Sequence, residues 1–149
     1  MAPQHYKKGF TIIEVVLVLA IAGLIFLIVF ITLPAMQRGQ RDDARKRDVS
    51  LVATAVTTYT SANRSKWPTT SQLADYLDTL SGNSDKAKVT VTSMQNNVAP
   101  ADAAITVVTG AKCGDSSKTQ QTLIKGTARQ FVVVTKLEAG GGVYFCQES

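Results

Sequence analysis

The chain has 149 residues, a formal net charge of +5 and a single histidine, His5. This length holds one modest domain, and its charge is local: Arg38, Arg41, Arg45, Lys46 and Arg47 crowd one segment, whereas from Asn63 onward nine Lys/Arg stand against seven Asp/Glu. No basic stripe marks a dedicated nucleic-acid surface, and a lone His5 without a Gly-rich phosphate loop or a nucleophile signature argues against an enzyme, a metal site or a bound cofactor.

The first element is a short basic leader, residues 1–9, carrying Lys7 and Lys8. Phe10 to Leu33 follows, 24 residues that are almost wholly apolar, with Glu14 as the only charge. As a helix this run reaches ~36 Å, enough to span a bilayer core of ~30 Å with some tilt. A secretory signal would be shorter and would precede a small-residue cleavage site; nothing of that kind follows here. A plain signal anchor explains the length but not Glu14. A carboxylate in such a run persists only with a partner, and the run holds no cation. Cutting the chain before Phe10 would create an α-amino group four residues from Glu14, on this subunit or on a neighbour. The alternative is an acid that snorkels to the membrane interface.

The segment Lys7-Lys8-Gly9-Phe10-Thr11-Ile12-Ile13-Glu14, continued by Val15-Val16-Leu17-Val18-Leu19-Ala20-Ile21-Ala22-Gly23, resembles the class III signal of type IV pilins and pseudopilins. The likeness covers about the first 30 residues. It implies that a prepilin peptidase cleaves between Gly9 and Phe10 and methylates the Phe10 amine. Glu14 then matches the acid that pairs with a neighbouring N-terminus during assembly. The apolar helix would hold the subunit in the membrane and later form a filament core. The implied partners are other copies of the chain, the peptidase, an assembly platform and its ATPase, with nucleic acid only as a filament-level ligand. The family topology places the leader in the cytoplasm and the C-terminal domain outside. The positive-inside count points the other way, with five Lys/Arg after the run against two before it, although Asp42, Asp43 and Asp48 offset part of that charge.

Residues 34–61 read as an amphipathic continuation of the helix. Pro34 lacks an N–H and crowds the carbonyl of Phe30, and Gly39 adds backbone freedom, so a kink is expected near Pro34. Asp42 with Lys46 and Asp43 with Arg47 have favourable (i, i+4) spacing. Val49, Val52, Val56 and Tyr59 form an apolar stripe, widened by Leu51 and Ala55. One long helix from about residue 10 to 61 is expected.

Residues 62–149 read as the globular domain. Asn63 to Pro68 breaks the helix, and Asn63-Arg64-Ser65 is formally a glycosylation sequon. Thr69 and Gln72 have capping-box spacing ahead of Leu73, Ala74, Leu77 and Leu80, predicting a short helix of about ten residues. Trp67-Pro68-Thr69-Thr70 is similar to a run that pseudopilins carry at this place. Ser81 to Asp85 is a turn cluster. Lys88 to Ser93, Ala104 to Thr109, Gln130 to Leu137 and Val143 to Cys146 read as strands, the last after the Gly140-Gly141-Gly142 turn. The fold class is therefore α+β, a long helix laid on a small antiparallel sheet of about four strands plus one short helix; the resemblance implies that this is the type IV pilin fold. Cys113 and Cys146 can form one bridge, the default outside the cytoplasm. By the chain-entropy argument such a loop closure is worth ~4 kcal/mol. The resemblance implies that a disulfide-bounded region of this kind lies exposed on the filament. Gly114-Asp115-Ser116-Ser117 offers a single carboxylate, too few for a calcium loop.

These readings converge on a structural subunit of a type IV pilus, serving adhesion, twitching motility or DNA uptake. A pseudopilin of a type II secretion or competence machine shares the same N-terminal physics. A single-pass anchored domain that never polymerises would leave Gly9, Phe10 and Glu14 without a purpose.

Overall fold

The computed structural model describes residues 9–81 and 88–149. The leader residues 1–8, with His5, Lys7 and Lys8, and residues 82–85 of the expected Ser81 to Asp85 turn lie outside the described residues, while Ser81 itself is helical. The long helix α1 spans Ile12–Ala62 and the chain divides into two units within it, Met1–Gln37 and Arg38–Ser149.

In the first unit every large apolar side chain from Phe10 to Met36 is exposed. Such a helix has no buried face of its own, which is the pattern of an element made to meet lipid or another chain. Pro34 and Gly39 both lie inside α1, and the helical assignment runs across them. Pro34 has no N–H to offer the Phe30 carbonyl, so that turn is short of one hydrogen bond.

In the second unit the helix acquires a buried face, with Val49, Val52, Ala53, Ala55 and Val56 almost fully covered. After Ala62 the chain turns through Arg64 and Ser65, both at positive φ, 54° and 61°. The Asn63 side-chain amide donates to the Tyr59 carbonyl at 2.9 Å, beside the Asn63 N–H that the same carbonyl accepts at 3.0 Å. Helix α2, Thr70–Ser81, starts on a capping box: the Thr69 N–H donates to Gln72 Oε1 at 3.0 Å and the Gln72 N–H points back to Thr69 Oγ1 at 3.4 Å. Tyr76 of α2 meets Tyr59 of α1 edge to face, with ring centroids 6.3 Å apart.

Seven strands follow: β1 Lys88–Ser93, β2 Asn97–Val98, β3 Ala104–Thr109, β4 Ala111–Ser116, β5 Gln121–Lys125, β6 Phe131–Lys136 and β7 Tyr144–Glu148. They form two sheets, a four-stranded one in the order β1-β3-β6-β7 and a three-stranded one in the order β2-β5-β4. The four expected strands are those of the larger sheet. Two features refine the expectation. β1 pairs parallel to β3, Lys88 opposite Ala104 through Ser93 opposite Thr109, whereas the other pairings are antiparallel. The smaller sheet lies within segments to which the sequence assigned no element.

The core has two parts. On one face of the larger sheet, Ile105, Val107, Phe131 and Val133 pack with Leu73 and the α1 residues, and Trp67, Val89, Val91 and Phe145 border them. On the other face, Val108, Val132, Val134 and Tyr144 pack with Val98, Ala111 and Leu123 of the smaller sheet, beside Met94 and the two cysteines. β3 and β6 are thus covered on both faces, and this is why they are near-continuous apolar runs rather than alternating ones. The order helix, sheet, sheet makes a three-layer domain. Gly110, at φ 73°, turns the chain from β3 in one sheet to β4 in the other.

Candidate functional site

The N-terminal region is built around the first turn of α1. Gly9, Phe10 and Thr11 are not helical, and the helix begins at Ile12. Thr11 occupies the N-cap position and Glu14 the third helical position, the spacing of a capping box. The Thr11 N–H donates to Glu14 Oε2 at 2.9 Å, and the Thr11 hydroxyl donates to the same oxygen at 2.8 Å. Gly9 has open space where a side chain would be, and Phe10 is 88% exposed. The Gly9–Phe10 peptide thus precedes the helix in an accessible, non-helical segment, and the only carboxylate of the apolar run lies within one turn of it. The described residues contain one helix long and apolar enough to cross a membrane.

A second polar constellation lies in the second unit. Asp42 is 4% exposed; its Oδ1 accepts the Glu138 N–H and its Oδ2 the Ala139 N–H, both at 2.7 Å. These donors open the 3-10 turn Ala139–Gly141 between β6 and β7. Around them, Glu138 Oε2 meets Arg41 Nε at 2.8 Å and Glu138 Oε1 meets Arg45 Nη2 at 2.6 Å. Arg45 Nη1 also donates to the Lys136 carbonyl at 2.7 Å. Asp42 therefore faces the sheet rather than Lys46, correcting the (i, i+4) reading. Lys46 instead approaches Asp43, at 3.8 Å. Two of the five clustered cations, Arg41 and Arg45, are used inside the domain.

Cys113 of β4 and Cys146 of β7 are joined by a disulfide, with Cα atoms 6.0 Å apart. It links the two sheets and is supported by two further ties: the Cys113 N–H donates to Glu148 Oε1 at 2.8 Å and the Ser116 hydroxyl to the Tyr144 carbonyl at 2.6 Å. Gly114, Asp115 and Ser116 belong to β4, where the pairing with β5 shifts register between Cys113 and Ser116. Among the described residues no group of three or more His, Cys, Asp or Glu could hold a metal ion.

Residues 4–30 match the family model described as the prokaryotic N-terminal methylation motif. The chain carries the class III signal of type IV pilins and pseudopilins. Comparison with curated proteins and with solved structures gives no significant match. The signal spans the leader, the Gly9–Phe10 bond, Glu14 and the apolar run as far as Phe30, and in the structure it corresponds to the capped helix start and the exposed apolar surface behind it. Residues that sequence reasoning missed are Thr11, whose place three before Glu14 was a readable capping-box signal, and Glu138, whose partnership with Arg41 and Arg45 depends on long-range folding and leaves no local trace.

Proposed function

We propose that this chain is the precursor of a type IV pilus subunit. It is inserted in the cytoplasmic membrane with its leader inside and residues 62–149 outside. Prepilin peptidase cuts between Gly9 and Phe10 and methylates the new amine. The subunit then polymerises through α1, driven by an assembly platform and its ATPase, into a surface filament for adhesion, twitching motility or DNA uptake. Residues 10–33 serve as membrane span and filament core, and the turn at Pro34 to Gly39 serves as a hinge.

The observation that carries this reading is the place of Glu14. Its carboxylate is in the first turn of a helix with no other charge before Arg38, and it already accepts the hydrogen bonds that Thr11 donates at that helix start. Cleavage adds a cationic amine at Phe10, one residue before the cap. The helix N-terminus also favours a negative charge there. The methylation motif supports the processing step, and the exposed apolar residues of the first unit support lateral association.

Intact mass and N-terminal sequencing of sheared surface material test the processing: the chain should begin at methylated Phe10, and an intact Met1 would refute it. For assembly, Glu14→Ala should leave the subunit in the membrane while reducing filament yield at least tenfold. Filaments at normal abundance in that variant would remove Glu14 from the mechanism. Protease added to intact cells should reach residues 62–149 if the domain is outside. A pseudopilin of a secretion or competence machine is the second reading, favoured by the Trp67-Pro68-Thr69-Thr70 run; a polymer confined to the envelope rather than visible surface fibres would select it.

A further inference from the structure

The contact between α1 and the larger sheet raises a question of register. The apolar face of the helix is made of Val49, Val52, Ala53, Ala55 and Val56, facing Ile105, Val107, Phe131 and Val133. Apolar attraction has no direction and scales with area. Val52 and Val56 lie one turn apart, so a slide of one turn, ~5.4 Å along the helix, would bring one to the place of the other and keep part of this methyl contact. Slips of this size between packed elements are a known class of transition. The stripe opposes such a slide only at its ends, where Arg45 and Thr60 lie one turn beyond Val49 and Val56, and does not by itself set a sharp register.

The charged constellation does. We infer that Asp42, with Arg45 and Glu138, is the pin that fixes the register of α1 on the sheet. Both carboxylate oxygens of Asp42 are engaged at 2.7 Å by consecutive N–H groups of the β6–β7 connection. One turn further on, Arg45 grips the Lys136 carbonyl and the Glu138 carboxylate of the same connection. Arg41 closes on the other Glu138 oxygen at 2.8 Å. Hydrogen bonds weaken steeply outside their short range, and those to ionised groups are the strong ones. A one-turn slide would break all of them together and leave a carboxylate and two N–H groups unpaired in a poorly hydrated place. A further polar tie of this face among the described residues, the Ser50 hydroxyl with Gln147 Oε1 at 3.0 Å, is neutral and exposed, and contributes less. A polar contact that selects one register among apolar alternatives is the best-attested use of buried charge in helix packing.

The test uses the full chain in detergent micelles, with spin labels at Thr57→Cys on α1 and Lys125→Cys on β5, both exposed positions. The native cysteines stay in their disulfide. Electron spin distance measurement should give one distance in the parent. Asp42→Ala and Asp42→Asn should each add a second population displaced by about 5 Å, the larger share in Asp42→Ala, while Ser50→Ala keeps the parent distance. A folded Asp42 variant with the single parent distance would overturn the pin, and so would an equal displacement in Ser50→Ala. If Asp42→Ala proves too unstable to read, Asp42→Asn, which keeps one acceptor oxygen, is judged by the same criterion.

Discussion

Glu14 and Asp42 are both helix-borne carboxylates that turn toward backbone N–H groups, and their surroundings separate their roles. Glu14 bonds within its own first turn, in a helix start that is exposed among the described residues. Asp42 is covered and bonds to a segment 96 residues away. Asp42→Ala leaves two N–H groups without an acceptor, at a cost of about 3 kcal/mol, readable as a lower urea midpoint. Lys136 is a third informative charge. Its ammonium lies 3.0 Å from Asp102 Oδ1, and that hydrogen bond, reinforced by the attraction between the two charges, raises the Lys136 pKa above its ordinary 10.5. The folded state therefore holds this proton more tightly than the unfolded chain, so the contribution is fully present below pH 10.5 and is lost as pH rises through the higher folded value. Thermal melts at stepped pH should show the parent's advantage over Asp102→Asn constant at neutral pH and shrinking above pH 10.5. The lysine is solvated, so the effect is small.

Among the elements, α1, α2 and the four strands of the larger sheet were legible because each carries a local signal. The Val49-Val52-Val56 stripe has a helical period, the Thr69-Gln72 pair is a start signal, and the Val- and Thr-rich runs read as strands. What was not legible depends on partners far away in sequence. The direction in which β1 pairs with β3 is not encoded in the alternation of Val89 and Val91. β4 reads Ala-Lys-Cys-Gly-Asp-Ser, a composition that favours loops; it becomes a strand through β5 and the Cys146 bridge. Asp42 was assigned to Lys46 because rules for an isolated helix see only that helix's own neighbours. Two substitutions test the elements directly. Thr69→Ala should destabilise the domain by about 1 kcal/mol through loss of the α2 cap, measured in denaturant. Pro34→Ala restores a missing hydrogen bond in α1 and removes a penalty of about 3 kcal/mol, so amide exchange at residues 30–37 should slow on the order of a hundredfold in micelles.

At the scale of the molecule, the two units answer different solvents. The first exposes its apolar side chains and carries the class III signal; the second buries its own in two layers. With the α1 layer and the outer sheet on opposite faces of β3 and β6, the disulfide fastens only the outer of the two cores. Replacing both Cys113 and Cys146 by Ser should cost about 4 kcal/mol by the chain-entropy argument. Tryptophan emission reads the inner core, since Trp67 packs edge to face on Phe131 with centroids 5.8 Å apart. It should stay native-like under conditions where the amides of β4 and β5 exchange faster.

The tip between β4 and β5 has its own wiring: the Ser117 hydroxyl donates to the Gln120 carbonyl at 2.8 Å, and the Gln120 N–H returns a bond to that hydroxyl at 3.1 Å. No residue of the tip belongs to the core on α1, but the Lys118 side chain lies against Gly141 of the β6–β7 connection, which also holds Asp42. A foreign peptide spliced in between Lys118 and Thr119 would part the Ser117–Gln120 bonds and lift Lys118 from Gly141, so a graft at this one loop would be felt at the connection on the far side of the domain.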